Sequence, residues 1–184
     1  MFIRLCNYIT RAFCRMKFAK CGKRVRFSPL NSQFSYDSIE MGNNVYVNRN
    51  AYFSGKITIG NNVMFGPYVF ITDGYHKYDE VGKTIEEQGG AEKIRVFIDD
   101  DVWVGAKAAI MKGVHIWEGS VIGTMALVTK DMPPYCICVG NPCKPIKYRY
   151  TDDQLREHLK IRGKSEQEIE ELINRRREMY LKYR

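Results

Sequence analysis

No stretch of these 184 residues holds the roughly twenty consecutive apolar side chains that cross a bilayer, so nothing is expected to span a membrane. The opening segment also lacks the unbroken apolar run of a secretory leader, because Arg4, Arg11 and Arg15 interrupt it. The six cysteines lack regular spacing, and Cys136-Ile137-Cys138 with Cys143 does not match a zinc pattern. They are expected to be small, mostly buried, reduced thiols, which fits the cytoplasm. The net charge of +8 suits an acidic partner such as an anionic membrane surface or a phosphorylated cofactor. No nucleic-acid-binding motif accompanies that charge, so no nucleic acid is expected as a partner.

What is present is a beat of six. From Met41 to Ile71 every sixth residue is apolar: Met41, Val47, Phe53, Ile59, Phe65, Ile71. A second set is shifted by four, at Val45, Ala51, Ile57, Val63 and Val69. The beat returns at Ile98, Val104, Ile110, Ile116, Ile122 and Val128, with Val102, Ala108, Val114, Ser120, Ala126 and Met132 as companions. A helix repeats near 3.6 and a free strand near 2, so a strict six fits neither alone. Hexapeptide repeats point to a parallel β-helix, in which three short strands and three corners make one coil of a triangular prism. Gly42-Asn43-Asn44, Gly60-Asn61-Asn62 and Gly66-Pro67 fall where the chain bends, and these residues tolerate corner backbone angles.

The chain then divides into three parts. Residues 1–20 read as a basic amphipathic helix, with Phe2, Leu5, Ile9, Phe13 and Met16 on one face and Arg4, Arg11 and Arg15 opposite. Such a helix packs on the body or a neighbouring subunit, or makes a peripheral contact with an anionic membrane. Residues 21–133 form the β-helix, interrupted by an off-period insert at 72–97 that is expected to be mostly solvated. Residues 134–184 leave the coil as an extended, proline-rich segment followed by two helices, opened by Thr151-x-x-Gln154 and Ser165-x-x-Glu168. The insert carries His76, which by itself reads as an ordinary surface histidine. Outward-facing Trp103 fits either a subunit contact or a ligand platform. Gly105-Ala106 and Gly123-Thr124 recur one coil apart, which leaves a shallow groove with free backbone amides.

Several motifs occur together and in order: Val45-Tyr46-Val47-Asn48-Arg49-Asn50, Asp73-Gly74-Tyr75-His76, Asp101-Val102-Trp103-Val104-Gly105-Ala106, Val128-Thr129-Lys130-Asp131-Met132-Pro133-Pro134, and Gly140-Asn141-Pro142-Cys143-Lys144-Pro145-Ile146-Lys147. With them the chain resembles the hexapeptide-repeat acyltransferases, in the galactoside and maltose O-acetyltransferase branch. Similar proteins occur among acetyltransferases of bacterial surface-polysaccharide synthesis. The resemblance implies a left-handed parallel β-helix, a mainly β fold with an extruded loop and flanking helices. It implies a homotrimer with active sites between subunits and acetyl-CoA as donor. Position by position it implies His76 as general base and Asn48 as a second catalytic residue, with Tyr46 and Asn48 in the acceptor site. It makes Trp103 a wall of the cleft, sets Ala106 and Thr124 beside the pantetheine arm, and puts Lys130, Lys144 and Lys147 near the CoA phosphates. Two departures stand out. Lys77 follows His76 where proline is common, and Ala106 stands where serine is common.

The implied reaction is acetyl transfer to a hydroxyl of a sugar or glycan precursor, by direct attack on the thioester with His76 taking the proton. N-acylation of an amino sugar or antibiotic, and a non-catalytic trimeric binding protein, stay open as alternatives. A carbonic-anhydrase-like trimer would need three histidines around one zinc. Only His76, His115 and His158 exist, and His158 lies in the predicted C-terminal helix. His115 is read as structural or surface, and no metal is assigned.

Overall fold

In a computed structural model, which describes residues 10–183, every apolar position of the six-beat points inward, and even Ser120 is fully buried. Ser120 is tolerated there because its hydroxyl donates to the Trp117 and Pro133 carbonyls, at 2.6 and 2.7 Å. Burying each Ile or Phe of this column contributes about 1.5–3 kcal/mol.

The strands stack into three parallel sheets. The first holds β1 (Lys20–Cys21), β3 (Ile39–Met41), β6 (Ile57–Ile59), β9 (Val96–Ile98) and β12 (His115–Ile116). The second holds β4 (Tyr46–Val47), β7 (Met64–Phe65), β10 (Trp103–Val104), β13 (Val121–Ile122), β15 (Cys136–Val139) and β16 (Lys144–Tyr148). The third holds β2 (Gln33–Phe34), β5 (Tyr52–Ser54), β8 (Phe70–Thr72), β11 (Ala109–Ile110) and β14 (Leu127–Val128). Only β16 runs antiparallel, closing back on β15. The chain visits the sheets in the order one, two, three, so each edge of the prism collects one kind of corner. On the edge from sheet one to sheet two, side chains form a ladder. The Asn43 and Asn61 amides donate to Asn61 Oδ1 and Asp100 Oδ1, at 2.8 and 2.7 Å. On the edge from sheet two to sheet three, Asn50, Tyr68, Lys107 and Met125 all adopt positive φ, the cost of turning tightly there.

Two sequence expectations are corrected. The helix expected over 1–20 has residues 1–9 outside the described residues; residues 10–15 are helical, and by Lys20 the chain is already a strand. Its described part also sits the other way round. Arg11 Nε donates to the Phe27 carbonyl (2.7 Å) and Arg15 Nη2 to the Gly22 carbonyl (2.6 Å). The first coil of a solenoid exposes unpaired backbone carbonyls, and here guanidinium groups satisfy them. Phe13 and Met16 are consequently left in solvent.

The segment after 133 does not leave the coil at once. The alternation Cys136-Ile137-Cys138-Val139 buries both cysteines and adds β15 to the second sheet. Burial pushes the thiols of Cys136 and Cys143 up to about 12 and about 11, and that of Cys138 higher still. The five described cysteines are all free.

The insert is exposed along most of its length, as expected, and is at the same time a folded flap. It contains a short helix, α1 (Ile85–Gln88), opened by a capping box between Thr84 and Glu87. Buried Gln88 ties the flap together, accepting from the Glu80 amide (2.9 Å) and donating to the Lys83 carbonyl (3.2 Å).

Both expected C-terminal helices are present, α2 (Asp152–Ile161) and α3 (Glu166–Leu181), each with its capping box. Leu155, Leu159, Ile169 and Ile173 pack with Tyr135 as a second core. Arg176 is fully buried there, paired with Asp152, bonded to the Tyr150 carbonyl (2.9 Å) and lying over the Tyr148 ring. Among the described residues no helix is long and apolar enough to cross a membrane.

Candidate functional site

His76 lies on the flap that bridges β8 in sheet three to β9 in sheet one, so it projects from the edge between those sheets. The flap is held at its root. Asp73 is buried, and its Oδ2 accepts from the Lys56 amide at 2.8 Å. It fits only because residue 55 is glycine: Gly55 has φ +88°, and a Cβ there would lie 1.9 Å from Asp73 Oδ1. Further out, the flap zips as a short antiparallel ribbon. Ala91 donates to the Tyr75 carbonyl (2.8 Å) and Lys77 to the Gly89 carbonyl (3.0 Å), with His76 paired opposite Gly90. The Lys112 ammonium lies 3.8 Å from the Tyr75 ring centre, bracing the residue beside His76. The imidazole itself is exposed and makes no hydrogen bond among the described residues. The backbone around it is fixed while its ring nitrogens are uncommitted.

The other expected site residues occupy a different edge. Successive outward positions on sheet two read Arg26, Tyr46, Met64, Trp103, Val121, Ile137 and Lys147, aligned by strand register. Trp103 is 55% exposed in that column. Tyr46 is half-buried under the Arg26 guanidinium, 5.2 Å from its ring centre. Asn48, at the adjoining corner, turns its Oδ1 back to accept from the Arg49 amide (2.8 Å). That corner belongs to the edge between sheets two and three.

Ala106 and Thr124 occupy the same edge two and three coils further on. Their neighbours must be glycine, since a Cβ on Gly105 would lie 2.6 Å from the Thr124 nitrogen and one on Gly66 2.6 Å from the Ala106 nitrogen. The Ala106 carbonyl accepts from Met125, but neither the Ala106 nor the Thr124 amide has an acceptor among the described residues. Lys144 opposes Val139 and Lys147 opposes Ile137 at the far end of this groove, both exposed. Trp103, Ala106, Thr124, Lys144 and Lys147 thus line one continuous strip. Lys130 stands apart, at the corner between sheets three and one. It borders a cavity of about 300 Å³ shared with Asp131, Met179, Lys182 and Tyr183.

Within one chain, then, the imidazole and the strip lie on different edges of the prism. Sequence reasoning missed Asp73 as the anchor of the flap, although it stands one coil after Gly55. It also missed the stacked pair Tyr52 and Phe70, with ring centres 5.2 Å apart, on the outer face of sheet three. Two outward aromatics one coil apart were the available signal. His115 is structural: Nε2 lies 2.8 Å from Asp99 Oδ1 and the ring stacks on Trp117. Among the described residues, no three His, Cys, Asp or Glu side chains gather in a way that could hold a metal ion.

Comparison with known proteins agrees with the coil. The bacterial transferase hexapeptide (six repeats) pattern matches residues 38–73. A galactoside O-acetyltransferase of Lactococcus lactis is 33% identical over 130 residues, covering 70% of this chain and 61% of that protein. The crystal structure of a maltose O-acetyltransferase from Clostridium difficile superposes with a TM-score of 0.67 at 34% identity, over 79% of this chain and 81% of that one. A galactoside acetyltransferase in complex with coenzyme A gives 0.67 at 31% identity, over 78% and 71%. The chain spans between 53% and 61% of the length of the first curated relatives it matches.

Proposed function

This chain belongs to the hexapeptide-repeat acyltransferases, beside the galactoside and maltose O-acetyltransferases, and from that premise we propose that it is an acetyl-CoA-dependent O-acetyltransferase acting as a homotrimer on a sugar or glycan precursor in the cytoplasm. One observation carries the reading: the exposed His76, unpartnered among the described residues, stands on one edge of the prism, while the strip with two amides uncommitted among those residues runs along another. A cyclic assembly brings unlike edges of neighbouring copies together and completes a site that neither copy holds alone. The exposed apolar skin supports this. Phe70, Tyr52, Tyr68 and Met125 sit on sheet three and its adjoining edge, where a second copy would cover them.

The residues present fit the donor. Lys144 and Lys147 offer positive charge for its phosphates, and the Thr124 amide offers a hydrogen bond to its amide-bearing arm. The Trp103 ring forms an apolar wall at the reacting end. His76 would accept the acceptor hydroxyl proton as that oxygen attacks the thioester carbonyl. An imidazole with an uncommitted ring nitrogen can take that proton as a general base. The Ala106 amide would donate to the oxyanion, and the proton would pass from His76 to the departing thiolate. Tyr46 and Asn48 would orient the acceptor, a gain that depends on holding both substrates at once.

The test is thiol release from acetyl-CoA across free sugars, nucleotide sugars and lipid-linked oligosaccharides, with His76→Ala as control. The expected outcome is release with at least one hydroxyl acceptor, and none above background in the control. Binding of acetyl-CoA with no acceptor turned over would favour a non-catalytic binding protein. Release only with amino sugars would favour N-acylation.

A further inference from the structure

The chain's excess positive charge is not spread over its surface. Residues 1–36 contain eight Lys and Arg and no Asp or Glu, and the remaining residues hold 21 of each sign out of the totals of 29 and 21. Seven of those eight are among the described residues, at the end of the prism closed by the first coil. Lys17, Lys20, Lys23, Arg24 and Arg26 are all exposed there. The nearest described carboxylate, Asp37, is exposed in the turn after the first coil, and the next, Glu40, is paired with Arg95 at 3.3 Å.

The same end carries an apolar face with nothing on it among the described residues. Arg11 and Arg15 point into the first coil, and Phe18 packs against Phe27, Phe34 and Tyr36. Phe13 and Met16 are left 58% and 75% exposed, and the Lys17 ammonium lies 5.0 Å from the Phe13 ring centre. An apolar ridge rimmed by cations that far outnumber the one exposed acid beside them, Asp37, is complementary to one surface in particular, a bilayer rich in anionic lipid.

We propose that the basic N-terminal end of the prism is a docking surface for an anionic membrane, with Phe13 and Met16 entering the headgroup boundary and the exposed Lys and Arg side chains reading its charge. The proposal rests on the trimer of the preceding section for its strength, since cyclic symmetry sets three copies of this end on one side of the ring. It also orients the enzyme. The flap with His76 leaves two coils below the docked end, about 10 Å by parallel-strand spacing, while Lys144 and Lys147 lie at the opposite end. An acceptor glycan held on a lipid would enter from the membrane side and the donor from the water side.

The experiment is co-sedimentation of the full chain with vesicles of phosphatidylcholine alone, or with about one-third phosphatidylglycerol, at roughly 0.1 M salt. Wild type is expected to partition onto the anionic vesicles only, and to be released as salt rises. Replacing Lys20, Lys23 and Arg24 with Gln is expected to lower the partition constant roughly 10²-fold. Phe13→Ser with Met16→Ser is expected to lower it at unchanged net charge. Wild type that ignores anionic vesicles overturns the proposal. So does a serine double variant that partitions normally but changes oligomeric mass, which would make the ridge a subunit contact. Acetyl transfer to a soluble acceptor is measured on the same proteins: transfer kept without vesicle binding sinks only the docking surface, and binding kept without transfer sinks only the assigned reaction.

Discussion

If the imidazole and the strip meet only across copies, two dead chains can rescue one another. Take His76→Ala, which keeps its groove, and Thr124→Trp, which keeps its histidine but fills an exposed position beside the free amides of the 2–3 edge. Alone, the first is expected to lose ~10²–10⁴-fold in kcat with CoA binding intact, because only the proton acceptor is gone. The second is expected to lose CoA binding. Each site of a ring takes its base from one copy and its groove from the next. In a randomly co-assembled equal mixture, a site is sound when a Thr124→Trp chain supplies the base and a His76→Ala chain the groove. About one site in four meets that condition in the whole mixture, and about one in three in mixed trimers isolated through both tags, so about a third of wild-type kcat should return after tandem purification. Co-expression with two different tags, tandem purification and a thiol-release assay read this directly. Recovery near zero in a preparation shown to contain mixed assemblies would place base and groove in one chain and refute the edge argument.

Other consequences follow from individual contacts. Gly55→Ala is expected to destabilise the fold by about 1–3 kcal/mol, since φ +88° disfavours any Cβ and this one collides with Asp73; a thermal melt checks it. The same variant should lower kcat by loosening the flap root, whereas a melt without a kinetic change would mean that Asp73 does not position His76. Lys147→Ala is expected to raise the KM for acetyl-CoA about tenfold with kcat unchanged, as loss of one charge-assisted contact predicts. An unchanged KM would make Lys147 plain surface charge. Stability should also fall at alkaline pH. The thiols of Cys136 and Cys143 are raised from 9.0 to about 12 and about 11, so the folded state retains protons that the unfolded chain releases. Their contribution is intact below pH 9 and is lost as pH rises through those folded values. A urea midpoint falling from pH 8.5 to 10.5 in wild type, and less in Cys136→Ala, is expected.

The sequence by itself determined which side chains point inward. A hexad of two strand steps and a corner has one buried phase, so Met41 through Met132 could be assigned to the core without coordinates. The helix starts at Thr151 and Ser165 were equally legible, because a capping box is a local pair of hydrogen bonds. The capping box of the flap, Thr84 with Glu87, and the alternation at 136–139 were written just as plainly and were passed over. What only the tertiary structure decided was which edge each functional residue occupies. Periodicity counts residues, and an extruded flap breaks the count: Ile59 stacks on Ile98, 39 positions later, where the uninterrupted coil would pair residues 18 apart. The flap therefore hides the phase between the two blocks, and with it the separation of His76 from the strip. The N-terminal helix shows the same limit. Its pattern specified two faces, but the choice of which one turns inward was made by unpaired carbonyls at the open end of the coil, and these exist only once the coil has formed.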